Sequence, residues 1–137
     1  MDKIIDLALF SKRQQEAIIT QDKHLRIIAC AGSGKTTTVA GKVAYLLDPV
    51  NRFGIKPENI IAFTYTEKAA GELKNKILNY VGQYRGMANM YIGTIHGWCL
   101  RSLQENEYKY QSFSVLDDIK LKLFIDKYYD IIGMKEV

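Results

Sequence analysis

Leu25-Arg26-Ile27-Ile28-Ala29-Cys30-Ala31-Gly32-Ser33-Gly34-Lys35-Thr36 decides how the rest of this sequence is read. Leu25 to Ala29 predict a short strand, the glycines a tight turn, and the residues from Lys35 to about Leu47 a helix. Strand, glycine turn, lysine, hydroxyl and helix in that order form a phosphate-binding loop. The glycines let backbone N–H groups turn inward, and the helix start adds the positive end of a dipole. Lys35 is placed to neutralise β- and γ-phosphate oxygens, and the Thr36 hydroxyl to join Mg²⁺. Ala31, Gly32, Ser33, Gly34, Lys35, Thr36 and Thr37 are therefore the candidate nucleotide-binding residues. Lys35 and Thr36 are the catalytic candidates, Thr36 is the metal contact, and a nucleoside triphosphate with Mg²⁺ is the expected ligand. Ala29 stands five positions before Gly34, where this loop more often has Gly; it is small enough to keep the turn.

Outward from the loop, strands alternate with helices. A short helix begins at Ser11, with Gln14, Ala17 and Ile18 following at helical spacing. Pro49 cannot continue the helix after the loop, and Gly54 and Pro57 punctuate the next connection. Ile60 to Thr64 predict a buried strand. Thr66 to Val81 predict a helix with Ala69, Ala70, Leu73, Ile77 and Val81 on one face. A loop from Gly82 to Gly86, a strand Met90 to Gly93 and a helix Ile95 to Glu105 repeat the unit. Phe113 to Leu116 predict one more strand, and Asp117 to Ile132 a last helix whose Asp117-Asp118 form an acidic first turn. This alternation argues for an α/β fold with a parallel sheet.

Composition sets wide bounds. The chain has 137 residues, 47% hydrophobic and 25% charged, the balance of a globular domain. Nineteen basic against fifteen acidic residues give a formal net charge of +4, which permits an anionic partner without requiring one. Lys120, Lys122 and Lys127 read as a solvated helix face. Two isolated cysteines, Cys30 and Cys99, indicate neither a disulfide scaffold nor a zinc site, and no apolar run has the length of a membrane span. A cytoplasmic, non-membrane protein is expected.

Three further segments narrow the class. Phe10-Ser11-Lys12-Arg13-Gln14-Gln15-Glu16-Ala17-Ile18 resembles the Q motif of UvrD/Rep-like superfamily 1 DNA helicases. Ile61-Ala62-Phe63-Thr64-Tyr65-Thr66-Glu67-Lys68-Ala69-Ala70-Gly71-Glu72-Leu73 resembles their motif Ia, and Ile92-Gly93-Thr94-Ile95-His96-Gly97 their motif Ib. With the Walker A loop these occur in the family's order, and the resemblance runs from about Phe10 to the end of the chain. It implies that Gln14 reads adenine, since a carboxamide can meet N7 and the N6 amino group together. Gln14 is equally placed to close a capping box with Ser11. The resemblance also implies that Thr64, Tyr65, Thr66, Thr94 and His96 contact single-stranded DNA, Tyr65 by stacking where the family usually has Phe. Glu67 stands where Asn is common, and a carboxylate beside phosphate is unfavourable, so it is given no DNA contact. His96 also fits a histidine packed at a helix start, and Trp98 reads as core.

The implied architecture is a RecA-like P-loop domain. Residues 1–97 would form the N-terminal part of domain 1A, and 98–137 the transition into the helical 1B insertion. The implied function is ATP binding for a helicase or translocase on single-stranded DNA, with the remaining 1B, 2A and 2B domains in the parent protein. No Walker B carboxylate pair follows, nor the later arginines that reach the γ-phosphate, so this chain alone is expected to lack hydrolysis and unwinding. Two rivals are a stand-alone nucleotide- or DNA-binding accessory module and a P-loop nucleotide kinase; the kinase leaves Gln14 and motifs Ia and Ib unexplained.

Overall fold

Ser11 sets the first element: its hydroxyl accepts the N–H of Gln14, and its own N–H donates to Gln14 Oε1 at 2.9 Å, so helix α1 (Lys12–Ile19) starts in a closed capping box. In the computed structural model, residues 4–22, 24–51, 55–82 and 84–133 are described. At the far end of α1, the Lys42 ammonium donates to the carbonyls of Ile18 and Thr20, satisfying acceptors the helix itself leaves open. Partial burial there pushes the Lys42 pKa down.

Helix α2 (Lys35–Leu47) follows the phosphate loop and is capped by Gly34 in the left-handed region, φ +84°. It lies against α1 so closely at Gly41 that a Cβ there would stand 2.8 Å from the Phe10 ring and from Ile18 Cδ1. The helix stops at Asp48, before Pro49. Asp48 is fully buried, and its carboxylate accepts the backbone N–H groups of Ile4 and Val50, each at 3.0 Å. Those bonds offset the cost of removing the group from water.

Strand β1 (Ile61–Thr64), helix α3 (Glu67–Val81) and strand β2 (Tyr91–Thr94) form one parallel crossover unit, with Ile61 opposite Tyr91 and Thr64 opposite Thr94. Thr66 caps α3 by accepting the N–H of Ala69. The expected apolar stripe of α3 is realised: Ala70, Leu73 and Ile77 are buried. Leu73 and Ile77 join Ala40, Val43 and Leu47 of α2 and the strand-end residues Ile60 and Met90 in one core, on which Ala62 and Ile92 also pack. A second cluster, Ile5, Phe10, Ile18 and Ala44, holds α1 to α2. Alternation sends Ile61, Phe63 and Tyr91 to the other face.

Helix α4 (Ile95–Asn106) leaves β2 without an intervening loop, and helix α5 (Asp118–Ile132) is the last element among the described residues. The chain divides into two compact units, residues 1–99 and 100–137. In the second, Asp117 caps α5 by accepting the N–H of Lys120 at 2.8 Å, and Tyr128 breaks the helical dihedrals near its end. Lys120, Lys122 and Lys127 are exposed, as a solvated face requires. Among the described residues no helix is long and apolar enough to cross a membrane.

Two expected strands are absent. Leu25 to Ala29 carry no ladder bonds, and Ile28 is 83% exposed. Apolar sequence can favour extended backbone, but a strand exists only against a neighbour, and β1 pairs with β2 alone among the described residues. Phe113 to Leu116 are likewise unpaired; the Phe113 carbonyl instead accepts from Gln104 Nε2 at 2.7 Å. The observed strands start one residue later than expected, at Ile61 and Tyr91. Gly54 and residue 83, part of the expected loops, lie outside the described residues.

Candidate functional site

The two ends of α2 carry different surfaces. At its C-terminal end a cleft of about 760 Å³ is lined by Leu47, Pro49, Ile55, Pro57 and Tyr84 among others, with no phosphate-binding turn. At its N-terminal end a smaller cleft of about 370 Å³ brings α1 against the glycine loop. The smaller cleft is lined by the sequence candidates Gln14, Ser33 and Lys35, and its volume falls within the range of small-molecule sites.

Gln14 and Gly34, distant in sequence, meet there. A Cβ on Gly34 would lie 2.6 Å from Gln14 Nε2 and would have to displace the carboxamide, and the positive φ disfavours any side chain there. Gln14 Oε1 accepts the Ser11 N–H, which fixes the amide plane and turns Nε2 over the loop. Capping therefore coexists with a carboxamide directed into the cleft. Ala17, Ile27 and Ile28 supply apolar wall.

Within the loop, the Cys30 carbonyl is the shared acceptor. It takes the Ser33 N–H at 3.3 Å, the Ser33 hydroxyl at 2.7 Å and the Lys35 ammonium at 2.6 Å, while Lys35 also reaches Ala29 O at 3.2 Å. Gly32 turns through φ +75°. Ala31, Gly32, Ser33, Lys35 and Thr36 are all exposed. Lys35 is thus held over the loop by neutral carbonyls. An anionic oxygen makes a stronger, charge-assisted bond to an ammonium, so exchange toward a phosphate is favourable. The cradle fits a polyphosphate: two left-handed glycines, a lysine and an exposed threonine hydroxyl beside it. Thr37 accepts a hydrogen bond from Lys76 of α3 at 3.3 Å, and the Thr38 hydroxyl donates back to Gly34 O at 3.0 Å, both tying down the start of α2. Among the described residues no group of three His, Cys, Asp or Glu is arranged to hold a metal.

The second group of candidates gathers at the carboxyl ends of β1 and β2, where ligands of open α/β sheets are received. Tyr65 is completely exposed and His96 is exposed. The three hydroxyls have internal roles. Thr64 donates to Thr66 O at 3.0 Å, Thr66 accepts from Ala69 N, and Thr94 donates to Glu67 Oε1 at 2.9 Å while accepting from Gly97 N. Trp98 is half-buried against Tyr91, ring centroids 4.8 Å apart, with Phe63 6.4 Å away. It packs on the outer face of the strand pair and lies outside the buried clusters.

Sequence reasoning passed over Arg13, which lines the cleft beside Gln14; its place immediately before Gln14 was the available signal. It also missed Lys76 and the Glu67–Thr94 contact. Nothing in the spacing of those residues announces that they meet.

Comparison with known proteins gives a consistent picture. The profile of the family described as UvrD/REP helicase N-terminal domain matches residues 10–135. The chain is 38% identical over 104 residues to a probable DNA helicase II homolog of Mycoplasma capricolum, covering 76% of this chain and 13% of that protein. It is 37% identical over 107 residues to the ATP-dependent DNA helicase PcrA of Bacillus subtilis, covering 76% and 14%. It is 35% identical over 104 residues to the ATP-dependent DNA helicase UvrD1 of Mycobacterium leprae, covering 76% and 13%. The alignments thus span about one seventh of the length of these relatives or less.

Proposed function

We propose, since the chain belongs to the UvrD/REP helicase N-terminal domain family, that it is the ATP-binding front of a RecA-like motor domain in a DNA helicase or translocase acting on single-stranded DNA. Residues 1–97 are assigned to domain 1A and 98–137 to the passage into 1B, with 1B, 2A and 2B supplied by the remaining length seen in the relatives. The observation that carries this reading is the approach of Gln14 Nε2 to Gly34, which joins the Q motif and the phosphate loop in one cleft.

The residues divide the work of binding. Gln14 presents donor and acceptor to the base edge, and Ala17, Ile27 and Ile28 exclude water from the base. Lys35 leaves the loop carbonyls for the phosphates, helped by loop N–H groups from Ala31 to Thr37. The Thr36 hydroxyl would hold Mg²⁺, which would supply further neutralisation of phosphate charge. Catalysis of phosphoryl transfer depends mainly on positioning and charge neutralisation around the γ-phosphate. Lys35 and the loop N–H groups supply the loop side of that environment. On the strand ends, Tyr65 offers a ring for base stacking, and His96 and Thr66 offer donors to the backbone phosphates.

Lys35→Ala tests the first half. The side chain faces the loop and solvent, so the variant should keep the wild-type melting temperature and lose Mg-ATP binding by calorimetry in the full-length protein. Unchanged affinity would remove the loop from the mechanism.

A further inference from the structure

Thr94 sits where three elements converge. Its hydroxyl donates to Glu67 Oε1, in the first turn of α3, at 2.9 Å and accepts the N–H of Gly97, in the first turn of α4, at 3.1 Å. The neighbouring Tyr91 hydroxyl donates to Thr94 O at 2.8 Å. That ring leaves no space around it: a Cβ on Gly93 or Gly97 would lie 2.7 or 2.8 Å from Tyr91 Oη.

A threonine hydroxyl has one proton, and here a carboxylate holds it. Phosphate oxygens in nucleic acid only accept hydrogen bonds, so Thr94 can serve one only by releasing Glu67. The bond to the carboxylate is charge-assisted, as one to phosphate would be, so the exchange gains nothing in bond strength. Releasing it would also free a negative charge next to the incoming phosphate.

We propose that Glu67 and Thr94 form a clamp that positions the DNA track without themselves contacting DNA. The clamp fixes the first turn of α3 to the first turn of α4. Tyr65 lies two residues before Glu67 and His96 two residues after Thr94, so the clamp sets the distance between the stacking ring and the phosphate donor. A carboxylate at position 67 is then compatible with the track, because it is turned onto Thr94. The proposal rests on the reading of Tyr65 and His96 as DNA contacts.

The test is a fluorescence titration of the full-length protein with an oligothymidine, using Glu67→Ala, Glu67→Gln, Thr94→Val, the Glu67→Ala/Thr94→Val double variant and Tyr65→Ala. Thermal melting checks that each variant is folded. The clamp requires Glu67→Ala and Thr94→Val to weaken binding by a similar factor, about three- to ten-fold, and the double variant to be no weaker than either. Glu67→Gln keeps an acceptor and should restore most of the affinity. If Thr94→Val weakens binding while Glu67→Ala leaves it unchanged or tightens it, Thr94 holds phosphate directly and the clamp is overturned. If Tyr65→Ala weakens binding but both single clamp variants match wild type, the track stands and the clamp is again overturned. Wild-type affinity in Tyr65→Ala would instead remove the track reading on which the clamp depends.

Discussion

Gln14 performs two tasks with one carboxamide. Oε1 holds the Ser11 N–H, while Nε2 overhangs Gly34. The carbonyl oxygen has a second lone pair, and the approach of Nε2 to Gly34 is packing rather than a hydrogen bond, so the carboxamide keeps donor and acceptor capacity for a base. Gln14→Ala should therefore weaken ATP more than a pyrimidine triphosphate, by about ten-fold or more, the scale of a lost two-point contact. Competition binding with ATP and CTP measures it, and equal losses would leave Gln14 only its cap. Gly34→Ala is expected to be worse for all nucleotides alike. It strains the loop at φ +84° and drives Gln14 away at the same time.

At the level of elements, caps decide where the helices begin. Ser11, Thr66 and Asp117 each accept a backbone N–H from the first turn of α1, α3 and α5. Ser11→Ala removes half of a capping box and should cost about 1 kcal/mol of stability by denaturant unfolding. The Ser11 backbone N–H that holds Gln14 Oε1 survives in this variant, so nucleotide affinity should change little while stability falls. Asp117 gives a pH signature. The Lys120 N–H bonded to its carboxylate holds its pKa below the ordinary carboxylate value. A depressed folded pKa means that the cap contributes above the unfolded pKa and fades as pH falls through the folded one. Circular dichroism should show the start of α5 fraying as the medium becomes strongly acidic, and Asp117→Asn, which keeps a capping oxygen without titrating there, should remove that dependence.

Across the whole molecule, the track prediction is a loss of about ten-fold or more in single-stranded DNA affinity for Tyr65→Ala in the full-length protein, since one stacked base is worth about 1–3 kcal/mol. The unpaired segment Leu25 to Ala29 yields another. If the rest of the protein lays a strand beside it, the amides of Ile27 and Ile28 should exchange quickly in the 137-residue chain and slowly in the full-length protein. Fast exchange in both would show that the segment is a loop. The sequence by itself determined the elements whose signals are local. These are the helices started by Ser11, Gly34, Thr66 and Asp117, the strands before Tyr65 and Ile95, and the order of loop and motifs that reveals the family. Each depends on residues within a turn or two of one another. Only tertiary structure decided which extended segments pair, because a ladder needs a neighbour that periodicity cannot name; β1 found β2, while Leu25 to Ala29 and Phe113 to Leu116 found none. It alone placed Gln14 over Gly34, Lys76 on Thr37 and Glu67 on Thr94, contacts between residues 20, 39 and 27 positions apart. Such pairs meet because α1 and α3 pack on α2 and α3 crosses between parallel strands, and that packing fixes side-chain partners that no local pattern encodes.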